Sequence, residues 1–251
     1  MITSLIDNYC KRSHPIALAE TAGIVLDDWQ QELVSSYASR FLLNCSRQVG
    51  KSTTVSVIGV DTALYQPGST TLLLSPSLRQ SSELFRKCLD IYRATDKPVP
   101  ATAETILRLE LENGSRICSL PGNEETIRGI SKVDLLLLDE AARVKDALYK
   151  SVRPMLAVGH GRLGLLSSPF GTRGFFYEEW QRRHKWKWWE IPAWKCPRIT
   201  QEFLDEELES LGQWWYDQEY GCRFQDAVDS SFRSEDIERL IKPEIDAWQL
   251  F

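Results

Sequence analysis

The sequence has 251 residues, 43% hydrophobic and 26% charged, with a net charge of −5. That is the balance of a globular protein long enough for one large α/β domain with appendages. The acidic balance excludes a histone-like coat on nucleic acid but not a local basic face. No apolar run approaches the length of a membrane span, so no membrane partner is expected, and Met1 to Arg12 lacks the apolar core of a signal peptide. The six cysteines contain no C-x-x-C pair and read as reduced thiols of a cytosolic protein. His14, His160 and His184 have no zinc-type spacing.

In chain order, residues 4–24 read as a weak helix interrupted by Pro15. A helix with an acidic start follows from Asp27. A first strand covers Arg40 to Cys45, and a helix-like segment runs from Lys51 to Leu64. Gln66-Pro67-Gly68-Ser69 is a turn. Thr70 to Ser75 is a short apolar strand of the kind buried in a parallel sheet, and residues 79–94 form an amphipathic helix. Leu107-x-Leu109-x-Leu111, Asn113-Gly114 and Ile117-x-Ser119 predict a β-hairpin, either an insertion or an antiparallel edge. Val133 to Leu138 is a second buried strand, 146–157 a helix, and Arg162 to Ser168 a third core strand. Thr172 to His184 is helix, Trp186 to Ile191 a weakly alternating strand, and Thr200 to Leu211 an acidic amphipathic helix. The alternation of β and α elements predicts a mainly parallel central sheet covered by helices on both faces.

Between the first strand and its helix lies Cys45-Ser46-Arg47-Gln48-Val49-Gly50-Lys51-Ser52. This is the layout of a P-loop, in which backbone N–H groups and a helix N-terminus cradle phosphate. Lys51 is placed to reach the β and γ phosphates, and the Ser52 hydroxyl to ligate Mg²⁺. The usual first glycine is replaced by Cys45, and Arg47 sits inside the loop. Leu135 to Leu138 runs into Asp139-Glu140, at the strand end where ligands bind in open α/β sheets. Asp139 suits Mg²⁺ and Glu140 the attacking water, although a strand closing in a solvated acidic turn gives the same pattern.

Other motifs are less specific. Trp29-Gln30 offers a donor–acceptor amide that fits adenine, or else an exposed helical glutamine. Ser167-Ser168-Pro169 closes the third core strand with two hydroxyls, either to sense the γ-phosphate or as a plain serine-rich stop. Arg182 to Trp189 interleaves base and aromatic, either as a nucleic-acid strip or as tryptophans packing a sheet edge with lysines on the wet side. Asp226, Asp229 and Asp236 are too irregular for a metal site. Arg47, Arg128 and Arg143 are the candidates for stabilising charge on a transferring phosphoryl group.

Taken in order, these motifs resemble the large terminase subunit, the DNA-packaging motor of tailed bacteriophages and related viruses. Ser46 to Thr53 looks like its deviant Walker A, with the arginine in the loop. Leu135 to Ala142 resembles its Walker B, Ser167-Ser168-Pro169 with Gly171 its coupling motif, and Trp29-Gln30 its adenine-reading segment. Phe175 to Trp180 looks like the helix after the coupling motif. Ile127-Arg128-Gly129 is also similar, and Glu219-Tyr220 through Phe224, then Phe232 and Asp236, resembles the end of the ATPase domain.

The resemblance implies a P-loop NTPase of the ASCE, RecA-like class with a β-hairpin and a small C-terminal helical lid or linker. The implied division is an N-terminal helical extension over 1–26, an ATPase core over 27–195 and a C-terminal subdomain over 196–251. ATP and Mg²⁺ are the implied ligands, held by Gln30, Ser46, Arg47, Gln48, Val49, Gly50, Lys51, Ser52 and Thr53, with Ser52 and Asp139 on the metal. Catalysis would fall to Lys51, Glu140, Arg47 and a trans-acting Arg128, with Arg143 a lesser candidate, and coupling to Ser167 and Ser168. The implied partners are double-stranded DNA, a portal protein, a small terminase subunit and further copies in a ring, in the host cytoplasm and transiently at the procapsid portal vertex. The family's RNase H-like nuclease domain would begin near Phe251, so nuclease activity is not expected of these residues. A helicase-like RecA core and a nucleotide-binding assembly module without turnover are the alternatives.

Overall fold

The computed structural model describes residues 15–121 and 132–226. Expectations resting on Ile127, Arg128, Gly129, Asp229, Phe232 and Asp236 lie outside these residues, as do most of the N-terminal extension and the apolar end Trp248–Phe251.

Helix α1 spans Pro15–Thr21. Pro15 stands in the first turn of this helix, where a missing N–H costs nothing, and the expected helix before it lies outside the described residues. Helix α2 (Asp28–Ser35) leads into strand β1 (Arg40–Cys45) and helix α3 (Lys51–Tyr65). Strand β2 (Thr70–Ser75) and helix α4 (Leu78–Ala94) follow, then three short strands: β3 (Ala101–Glu104), β4 (Arg108–Leu111) and β5 (Arg116–Pro121). The chain continues through β6 (Leu135–Asp139), α5 (Asp146–Val152), β7 (Arg162–Ser167), α6 (Gly174–Gln181), β8 (Lys187–Ile191) and α7 (Gln201–Glu219). The α-helix expected over 146–157 stops at Val152 and tightens into a 3₁₀ turn over Arg153–Leu156, where Pro154 cannot donate to an α-helical ladder. The helix expected over Thr200 to Leu211 instead runs on to Glu219, with a break at Gly212 (φ 75°, ψ 164°).

All eight strands join one sheet in the order β3-β4-β5-β2-β6-β7-β1-β8. The six from β5 to β8 are parallel, and β3 and β4 are antiparallel additions. The predicted hairpin is thus a sheet extension. Its second strand, β5, pairs with β2, and its Asn113 side chain donates to the Ala63 carbonyl at 2.9 Å, at the last turn of α3. That bond answers a carbonyl that a helix end leaves open.

Alternation along the strands builds two cores. Phe41, Leu43, Cys45, Leu73, Leu135 and Leu137 face α1 to α4. Leu42, Leu72, Leu74, Leu136, Leu138 and Leu165 face α5 and α6. Each buried leucine contributes about 1.5–3 kcal/mol of transfer free energy, and the continuous apolar runs reflect burial on both faces. Helix α3 is buried around nearly its whole circumference because α1, α2, α4 and the sheet enclose it.

Strand order sets up the site. β7 lies between β1 and β6, which puts Asn44 beside Ser167 and Leu166 beside Asp139. The polar carboxyl ends of β1, β7, β6 and β2 therefore form one continuous rim.

Candidate functional site

The phosphate loop grows directly out of β1. Cys45, in the place of the usual first glycine, is fully buried in the core below the loop. Burial pushes its thiol up to about 12, so it remains a neutral, packing thiol. The Ser46 N–H donates to the Ile191 carbonyl at 2.9 Å, which ties the loop to β8. Gln48 and Gly50 take left-handed backbone conformations at φ 62° and 92°, and Gly50 opens α3. The Arg47 N–H donates to the Glu219 carbonyl at 3.3 Å; left-handed turns such as those at Gln48 and Gly50 are the geometry from which a loop's remaining amides can bind phosphate.

Lys51 and Ser52 occupy the first turn of α3 and meet the acidic end of β6. Ser52 Oγ donates to Asp139 Oδ2 at 3.2 Å. Lys51 Nζ lies 3.6 Å from Glu140 Oε1. Asp139 is 7% exposed, and burial pushes its carboxyl up against the opposing pull of Lys51. Glu140 has a left-handed backbone (φ 50°, ψ 42°). Such a conformation costs a non-glycine residue about 1–3 kcal/mol and is retained where the surroundings enforce it. Here it turns the chain sharply, so that Asp139 and Glu140 present side chains to the same cleft.

The donor set fits Mg²⁺. A hydroxyl and one carboxylate are hard oxygen ligands of the number this ion takes from protein when phosphates and waters supply the rest. On the same rim the hydroxyls of Ser75 and Ser167 are buried with no hydrogen-bond partner among the described residues.

The arginines separate in space. Arg143 Nη1 lies 3.0 Å from Glu140 Oε2 and donates to Ser168 Oγ at 3.4 Å. Its Nη2 stands 3.7 Å from Glu219 Oε1, and its guanidinium lies 4.6 Å from the centre of the Phe170 ring. Arg143 thus engages groups of its own chain. Arg47 Nε lies 2.5 Å from Glu219 Oε2 at the end of α7. An alternating chain of charge, Lys51–Glu140–Arg143–Glu219–Arg47, therefore encircles a cleft of about 510 Å³, also lined by Thr53, Gln80 and Lys87.

Of the two expected coupling serines, Ser168 joins this circuit through Arg143, whereas the Ser167 hydroxyl is buried with no partner among the described residues. Gln30 is not the exposed helical glutamine of the alternative expectation. It is 3% exposed, and both ends of its amide are bound within the protein. The strip Arg182–Trp189 runs into β8 at the sheet edge, with Trp189 buried and Trp188 44% exposed. Lys187 pairs with Glu32 at 2.6 Å, Arg183 lies over the Trp180 and Trp188 rings at 5.0 and 5.5 Å, and the Trp186 N–H donates to Glu179 at 3.1 Å.

Reasoning from sequence missed Glu219 as the partner of Arg47, Gln80 and Lys87 on α4, and Arg198. The spacing of Glu140 and Arg143 was a local sign of a pair. The others reach the cleft from distant elements and left no local signal. A larger hollow of about 710 Å³ along the β8 edge, walled by Trp29, Trp188 and Trp189, holds neither loop amides nor Lys51. The smaller cleft is therefore the candidate anion site.

The family profile described as terminase large subunit, T4likevirus-type, N-terminal, matches residues 42–239. Among solved structures, the large terminase ATPase domain of Thermus phage P74-26 is 22% identical with a TM-score of 0.72, over 82% of this chain and 96% of that one. The large terminase of a thermophilic bacteriophage, solved in complex with ATP-gamma-S, is 10% identical with a TM-score of 0.65, over 80% of this chain and 53% of that one. The large terminase of bacteriophage HK97 is 15% identical with a TM-score of 0.59, over 86% of this chain and 46% of that one. The chain thus spans nearly all of the isolated ATPase domain and about half of the longer terminase chains. Curated protein sequences contain no match. At these identities the structural likeness concerns the fold.

Proposed function

The chain belongs to the family of the terminase large subunit, T4likevirus-type, over its N-terminal region, and from that premise we propose that it is the ATP-hydrolysing module of a motor that drives double-stranded DNA into a procapsid. The observation that carries the proposal is the meeting, in one cleft, of the loop after β1, Lys51 and Ser52 of α3, and Asp139-Glu140 at the end of β6.

The loop amides and Lys51 bind the triphosphate. Ser52 and Asp139 would hold Mg²⁺, which when bound neutralises charge on the phosphate oxygens. Glu140 orients the attacking water and accepts its proton. It is held for this at one oxygen by Arg143 and near the other by Lys51. Incoming phosphates compete with Glu140 for Lys51 and with Glu219 for Arg47, so binding loosens two carboxylates that the same cations hold here. Release of Glu219 passes the change to α7, and Arg143 passes it to Ser168. On this reading residues 27–195 are the ATPase core and 196–251 the C-terminal subdomain or linker. The trans-acting arginine is assigned to Arg128 on its position before β6. Partners on this reading are duplex DNA, a portal protein, a small terminase subunit and neighbouring copies in a ring, at the portal vertex in the host cytoplasm. ATP hydrolysis is the only chemistry assigned to the chain.

Glu140→Gln tests this. The amide keeps shape and loses the base, so MgATP binding should stay within about threefold while turnover falls at least about a hundredfold. Turnover close to that of the unaltered protein would remove Glu140 from the role.

A further inference from the structure

We propose that Lys87 on α4 is a further binding residue of the cleft, whose ammonium meets the phosphates of a nucleotide bound by the same chain. The inference rests on the assignment of the cleft as a nucleotide site.

The cations of the cleft differ in what holds them. Lys51 lies 3.6 Å from Glu140, Arg143 lies 3.0 Å from Glu140 and 3.7 Å from Glu219, and Arg47 lies 2.5 Å from Glu219. Lys87 lines the same cleft and is half-buried, yet it makes no ion pair among the described residues. Glu83, four residues before it on α4, is engaged by Arg86 at 2.8 Å. With Asp139 beside Ser52, the carboxylates Asp139, Glu140 and Glu219 offset Arg47, Lys51 and Arg143. The excess charge that draws in a magnesium triphosphate, which is still an anion, is thus left to Lys87. An ammonium on a flexible stem is a point charge that phosphate oxygens satisfy from several directions.

Helix α4 is fixed so that this charge faces the loop. The Ser77 hydroxyl caps it, accepting from the Gln80 N–H at 3.3 Å and donating to Gln80 Oε1 at 2.8 Å. Ser81 Oγ donates to the Leu120 carbonyl and Ser119 Oγ to the Ser81 carbonyl, both at 2.8 Å, which ties the first turn of α4 to the end of β5. Next to Lys87, Cys88 Sγ stands 4.0 Å from the Ser56 carbonyl and sets α4 against α3. Gln80 and Lys87 both line the cleft, and their spacing of two turns puts them on one face of the helix. Helical side chains lean toward the N-terminus, and the N-terminus of α4 follows the end of β2 on the rim. The Lys87 stem therefore runs along α4 toward Gln80, and its head enters the cleft that Thr53, in the first turn of α3, also lines.

Charge and salt separate this role from a structural one. MgATP and magnesium tripolyphosphate, which has no base, are titrated by calorimetry into the unaltered protein, Lys87→Met and Lys87→Arg, with thermal melts to establish folding. Lys87→Met keeps the stem and removes the charge. It should bind both ligands about three- to thirtyfold more weakly, the scale of one partly exposed charge-assisted contact. Lys87→Arg keeps the charge and should stay within about threefold of the unaltered protein. Affinity should also fall less steeply with added salt in Lys87→Met, because a charge open to screening has gone. Unchanged binding by Lys87→Met overturns the proposal, as does a loss just as large in Lys87→Arg or a loss with an unchanged salt slope. A loss confined to MgATP places Lys87 on the nucleoside and overturns it too. If the unaltered protein binds neither ligand, the nucleotide site itself is refuted, an outcome distinct from these. Should Lys87→Met not fold, acetylation of amines on the unaltered protein decides the matter by mass spectrometry. Either ligand should slow the modification of Lys87, and no slowing overturns the proposal.

Discussion

Glu219 illustrates how much a single carboxylate at the mouth of an anion site can control. It stands 2.5 Å from Arg47 and 3.7 Å from Arg143, so it both engages a loop cation and adds negative charge where phosphates must arrive. Glu219→Gln keeps the shape and removes the charge. Affinity for MgATP should rise about two- to fivefold, the scale of one partly screened charge interaction, and a filter-binding or calorimetric titration reads it. Unchanged or weaker binding would mean that Glu219 organises Arg47 for the nucleotide and does not compete with it. At this scale the sequence was legible for Lys51, Ser52, Asp139 and Glu140, because each belongs to a motif whose spacing is the chemistry. Gln30 was legible as a residue of interest, but its burial and its bonds to Asp27 and Thr54 were not, because they depend on how α2 packs against α3.

Among the elements, β7 does most to bring the site together. It separates β1 from β6 and still lets the ends of both reach the cleft, and it packs closely because Gly164 lies in its middle. A Cβ at Gly164 would come 2.2 Å from the Phe41 ring on β1 and 2.9 Å from Leu137 on β6. Gly164→Ala should therefore overpack the sheet and lower the unfolding free energy by about 1–3 kcal/mol, measured by urea denaturation. A neutral result would mean that the Phe41 ring has room to turn away. The bounds of β1 and β2 came straight from their apolar runs. The pairing of β5 with β2 did not, because a hairpin pattern fixes its own antiparallel partner and is silent about the strand on its other side.

On the scale of the whole molecule, the end of the sheet opposite the cleft carries a buried ionic cluster. Asp61 on α3 is 4% exposed with one oxygen unpartnered, and burial pushes its carboxyl up to about 7 against the pull of Arg162. A carboxyl raised in the folded state makes its stabilising contribution below about pH 4 and loses it as pH rises through about 7. Asp61→Asn should therefore match the unaltered protein near pH 4 and exceed it near pH 8 by roughly 1–3 kcal/mol, about 2–10 °C in melting temperature for a domain of this size. Parallel melts at the two pH values check this. An advantage that does not grow with pH would show that the folded protein holds Asp61 ionised throughout.

The residues alone determined the α/β class, the two phosphate motifs and their order, and the family resemblance that the profile match then established. These are properties of short spans, in which hydrophobic periodicity, strand length and the chemistry of a loop are set by neighbours in the chain. Only the tertiary structure decided which charges and amides meet. Glu219 reaches Arg47 across 172 residues of sequence, Arg143 reaches Ser168 across 25, and Gln30 reaches Thr54 across 24. Such pairs follow from the order of strands in the sheet and from the burial that makes an unmatched polar group costly, and neither is written in any local stretch.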